Sequence, residues 1–147
     1  MTKEELVKFL DGLFKTNSFI KKGRKWTMTN DELIKIIILS RSRFGNYYYL
    51  DYGITIKNIE LDGLVMHIYH SLGSLNGSDF TRMMNLLNLD TSITDKDRKE
   101  ELENLIQNEI FTFFSAINNE NDLLSNLKNR ENLNDVPLCV KKYYQIK

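Results

Sequence analysis

The chain has 147 residues, with 20 basic side chains against 20 acidic ones and a formal net charge of zero. That balance excludes the global cationic footprint of a nucleic-acid or anionic-membrane binder, and the single cysteine excludes an internal disulfide framework or a cysteine-only zinc site. One domain spanning 1–147 is expected, long enough to bury a core of its own.

The N-terminus, with Lys3, Glu4 and Glu5, has no secretory pattern. The longest apolar runs, Ile36 to Leu39 and Tyr47 to Leu50, fall far short of the ~18 residues a bilayer span needs. A cytoplasmic location without membrane contact is the expectation, and the lone Cys139 fits a reducing compartment.

Residues 1–17 read as a helix. Thr2 and Glu5 have capping-box spacing, and Leu6, Phe9, Leu10, Leu13 and Phe14 form one apolar stripe. From 18 to 72 the period changes to two. Short strands flank Gly23, a β-branched strand runs from Leu33 to Ser40, another from Tyr47 to Lys57, and a last one from Leu64 to Leu72. Tyr48, Leu50, Tyr52, Ile54 and Ile56 alternate onto one face. The period returns to 3.6 over 73–130. Ser78 is positioned to cap one helix, Thr94 starts a longer one ending at Asn118, and Asp122 to Lys128 form a third. Residues 131–147, with the single proline Pro137 ahead of the last part from Leu138 to Ile146, carry no decisive pattern. The order predicts an α+β fold: an antiparallel meander of four to five strands, with the N-terminal and C-terminal helices packed mainly on one face.

The stretch from Ile34 to Ile54 joins a strand ending Leu39-Ser40-Arg41-Ser42 to the turn Phe44-Gly45-Asn46-Tyr47, then to a strand reaching Gly53-Ile54. With the opening helix, the segment Phe19 to Trp26, the pair His67-Ile68 and the acidic helix around Arg98 to Leu105, it resembles the bacterial family of domain of unknown function 4304. The resemblance spans about residues 3 to 128. It implies a fold more firmly than an activity, since its motifs are packing and turn signatures. The family's arginines after the His-Ile pair are replaced here by Tyr69, His70 and Ser71, which puts an anion-binding role for that strand in doubt.

Candidate chemistry is sparse. His67 and His70, three apart in a strand, point to opposite faces and do not converge on a metal. Cys139 has no histidine near it in sequence. The glycine-rich stretch Ser71 to Ser78 lacks the Gly-Lys-Ser/Thr ending of a phosphate loop. Glu100, Glu101 and Glu103, beside Arg98 and Lys99, read as a solvated helix face. No catalytic residue, metal site or cofactor is assigned.

Three features remain. Asp51 shares a strand side with Tyr47 and Tyr49, where a carboxylate beside phenols is either a perturbed acid or a hydrogen-bonded anchor. The basic residues Lys21, Lys22, Arg24 and Lys25 lie near Trp26, and Arg41 and Arg43 near Phe44. Such pairs can stack on nucleic acid, but zero net charge favours protection of strand edges, so no nucleic acid is expected. Finally, if helices cover the face of Tyr48, Leu50 and Tyr52, then Tyr47 and Tyr49 decorate the other, where tyrosines make good interface anchors.

The expected function is therefore a non-enzymatic module that binds another protein through its sheet face, of an immunity or accessory type. A homodimer through that face would look the same in sequence. The alternative is a small-ligand binder or enzyme with a pocket between sheet and helices, lined by Trp26, Tyr49, Asp51 and His67.

Overall fold

The computed structural model describes residues 1–73 and 80–147. Helix α1 (Lys3–Thr16) precedes strands β1 (Ile20–Lys22), β2 (Lys25–Thr29), β3 (Leu33–Arg41), β4 (Tyr48–Ile56) and β5 (Ile68–Ser71). Helices α2 (Phe80–Leu86), α3 (Asp95–Leu105), α4 (Thr112–Ser115), α5 (Glu120–Lys128) and α6 (Leu138–Tyr144) follow. The strands form one antiparallel sheet in the order β1-β2-β3-β4-β5. This is the α+β meander that the change of period from 3.6 to two and back predicts.

Local chemistry sets the boundaries. Thr2 Oγ1 accepts from the Glu5 amide at 3.1 Å, so the cap predicted for α1 forms. Gly23, at φ +67°, makes the tight turn between β1 and β2 that a side chain would strain. Thr94 accepts from the Asp97 amide and starts α3. The proposed Ser78 cap lies outside the described residues.

One sheet face carries the core. Leu33, Ile37 and Leu39 of β3 stand in register with Ile56, Tyr52 and Leu50 of β4, and all are buried. Leu6, Leu10 and Phe14 of α1 pack onto that face beside Trp26, together with Ile110 and Phe114 from the long helical run and Val140 of α6. Phe14 meets Trp26 edge-on at 4.9 Å and Phe111 at 6.1 Å.

Three expectations are corrected here. The last strand is Ile68–Ser71 rather than 64–72, because the His67 ring takes the Ile56 amide, at 2.9 Å, out of the ladder. Arg98 is not on a solvated face. It is buried, and its guanidinium donates to Asn85, Leu86 and Asn88 carbonyls and to Thr91, closing the C-terminal end of α2. The long helix is not uniform: Ile106–Phe111 widens into a π-helical segment between α3 and α4. In addition, Lys35, inside an apolar run, is buried on the core face, where its Nζ donates to the carbonyl of Phe114, near the C-terminal end of α4, at 2.7 Å. Desolvation lowers its pKa, while the carbonyls at a helix C-terminus favour its charge.

Candidate functional site: the open sheet face

Strand alternation sends the second set of side chains to the side opposite the core. In register across all five strands run Ile20, Thr27, Ile36, Gly53 and Tyr69. The neighbouring row holds Lys22, Lys25, Ile38, Asp51 and Ser71. Ile36 is buried at the centre of this face, although none of Ile34, Ile36 and Ile38 joins the main core cluster. Ile20 is 72% exposed, Tyr69 48% and Tyr49 44%, and Ile34 and Ile38 are half-buried. Met66 folds onto the centre of this face. Its Sδ occupies the space over Gly53, where a Cβ would also fall 1.8 Å from the Ile68 carbonyl oxygen.

Asp51 anchors the β4–β5 side of the face. Its residue is only 8% exposed, and its carboxylate accepts from Tyr69 Oη at 2.5 Å and Ser71 Oγ at 2.7 Å. Both donors are on β5, directly opposite or diagonal in register. Burial, then the bond to this carboxylate, pushes the Tyr69 phenol up to about 12. Tyr47 and Tyr49 meet edge-to-face at 5.8 Å just before it.

The predicted residues thus divide. Tyr47, Tyr49 and Asp51 come together, beside a small recess of about 170 Å³ closed by Leu72, Phe80 and Met83. Arg41 at the end of β3 and Arg43 and Phe44 on the β3–β4 connection are exposed, Phe44 at 89%. Trp26 is removed from the surface set: it is fully buried under α1, and its indole N–H donates to Asp11 Oδ1 at 3.1 Å. His67 is removed as well. It is buried, with Nδ1 accepting from the Ile56 amide and Nε2 donating to Glu60 O at 2.9 Å. Of the four residues expected to line one pocket between sheet and helices, Tyr49 and Asp51 share the small recess, and Trp26 and His67 do not border it.

A second polar constellation went unread in the sequence. Where β5 meets the helices, a cleft of about 650 Å³ is bordered by His70, Phe113, Asn129, Arg130 and Asp135. His70 Nε2 lies 3.1 Å from Arg130 Nη2, and Arg130 pairs with Asp135. Burial first, and the guanidinium second, lower the His70 pKa to about 4, so it accepts as neutral imidazole. Behind it the π-helical segment turns Glu109 inward. Its carboxylate accepts from Tyr52 Oη at 2.9 Å and from the Gly73 amide. Burial raises the pKa of Glu109 and, with Glu109 beside it, that of Tyr52. The available signal was the polarity of Glu109 between the stripe residues Ile106 and Ile110, but periodicity does not reveal an extra residue in a turn.

Among the described residues no helix is long and apolar enough to cross a membrane. Comparison with curated proteins finds no match, and comparison with solved structures finds none. The family model described as "Domain of unknown function (DUF4304)" matches residues 10–116, from the middle of α1, through the whole sheet, to the end of α4. The chain belongs to the DUF4304 family.

Proposed function

We propose that this protein is a non-enzymatic binding module of the immunity or accessory type, acting in the cytoplasm, and that it docks a protein partner on the open sheet face. The observation that supports this reading is the exposure of Ile20, Tyr49 and Tyr69 on a face where Ile34 and Ile38 are only half-buried. Exposed apolar area of this kind marks an interaction surface more often than an accident. Its β1–β2 side is fringed by Lys22 and Lys25, both exposed. The partner that fits is therefore an apolar protein surface bordered by carboxylates.

The test is affinity capture from host lysate, followed by direct binding of the recovered partner. The paired change Ile20→Glu/Ile34→Glu should abolish binding of a still-folded protein, while Arg130→Ala, in the cleft, should leave it intact. The reverse pattern would transfer the function to the cleft. A partner that proves to be a second copy of the chain would replace hetero-binding with dimerisation.

The second reading, a small-ligand site between sheet and helices, has one observation in its favour: the His70–Arg130–Asp135 group opens onto a cleft of ligand size.

A further inference from the structure

Asp51 presents an electrostatic imbalance. Buried charges are normally paired with an opposite charge. This carboxylate is almost fully buried, and its described partners are two neutral hydroxyls. No lysine, arginine or histidine pairs with it among the described residues. The basic residue aligned with it on the same face, Lys25, is two strands away, or about 10 Å at the usual strand spacing.

The surroundings of that carboxylate are aromatic and apolar. Tyr47 and Tyr49 stand at 79° to one another, forming a corner. Phe80 and Met83 from α2 close the recess over Leu72. Its volume of about 170 Å³ equals roughly five or six waters at ~30 Å³ each. That suits a cationic head group and is too small for a drug-sized ligand. Ring faces attract cations through their quadrupoles within about 6 Å, most strongly where water is excluded. An inorganic metal ion would instead need several oxygen ligands, and the walls here offer rings and methionine.

We propose that the recess formed by Tyr47, Tyr49, Asp51 and Phe80 is an aromatic cage for an alkylammonium cation. The carboxylate supplies the counter-charge and the rings supply the walls. The cation belongs either to a free small amine of the choline type or to a lysine side chain presented by a protein. This site shares Tyr49 with the docking face, but Ile20 and Ile34 lie outside it, so the Ile20→Glu/Ile34→Glu protein keeps it whole and the two readings can fail independently.

The experiment is an amide resonance titration of the full chain with choline, with a blocked lysine amide, and with the neutral carbon isostere of choline. At least one cation should shift the amides of residues 47–51 and 80–84 that border the recess. The isostere should bind about tenfold more weakly, as expected for losing one to two kcal/mol of cation attraction. Preference for choline identifies a small amine as the source, and preference for the lysine amide identifies a protein side chain. Asp51→Asn should weaken the cations and leave the isostere unchanged. Tyr49→Leu, at a half-exposed position, should also weaken them in a protein that still folds. The proposal is overturned if the isostere binds as well as the cations, if none of the three moves those amides, or if folded Tyr49→Leu binds the cations unchanged.

Discussion

His70 packs against Tyr52 and Phe113, with ring centroids 5.5 and 5.1 Å away, and is neutral in the folded protein. Its folded pKa of about 4 lies below the ordinary 6.5. As pH falls, the unfolded chain therefore takes up this proton first, and stability drops from about pH 6.5 down to about pH 4. At 1.36 kcal/mol per pH unit, discounted for solvent at the cleft mouth, the loss is about 2 kcal/mol. Urea midpoints measured between pH 7 and 4 should show that slope, and His70→Phe should flatten it. A variant as steep as wild type would place the titration elsewhere. Arg98 gives a second residue-scale prediction. Arg98→Ala leaves the carbonyls at the end of α2 without their donor inside the protein. It should cost about 3 kcal/mol in denaturant unfolding. Arg98→Lys should recover little of this, since an ammonium cannot span the same carbonyls as a planar fork.

At the scale of elements, the final helix is an integral part of the fold. Val140 of α6 is fully buried in the core, and Tyr144 Oη donates to Glu120 Oε1 at 2.9 Å, tying α6 to the first turn of α5. Val140→Ala should therefore cost about 2 kcal/mol, two methyl groups plus the space they leave, seen as a lower melting temperature. An unchanged melt would mean that α6 is only loosely held. Seven residues with one fully buried apolar position are too short to announce an amphipathic period, so this helix is not legible before it docks. The π-helical turn is hidden for a related reason. Ile106 and Ile110 keep helical spacing, and only the partners of Glu109, on β4 and beyond β5, show which way the widened turn faces.

For the whole molecule, the decisive property is that the sheet packs its main core on one side, while the other is covered only locally, by Met66 at its centre and α2 near Asp51. Two substitutions on the sheet separate its faces. Ile37→Ala, on the covered face, should cost about 3 kcal/mol. Ile20→Glu, on the open face, should change stability by about 0.5 kcal/mol or less. Similar losses from both would mean that the second face is also core. The same asymmetry makes the open face available to a partner.

The α+β class, the strand sequence, the α1 cap and the shared face of Tyr48, Leu50 and Tyr52 were determined by the sequence itself, while the covering of that face was decided by the tertiary structure. Each of the former follows from local periodicity or from a side chain bonding its own neighbourhood. The family, too, was legible in the span from Ile34 to Ile54. Only the tertiary structure decided that Trp26 and His67 are interior, that Arg98 closes a helix end, and that Tyr69 and Ser71 join Asp51. Those outcomes depend on contacts between residues distant in sequence. Alternation tells which residues share a side of one strand, but it does not tell what another strand or helix will set against them.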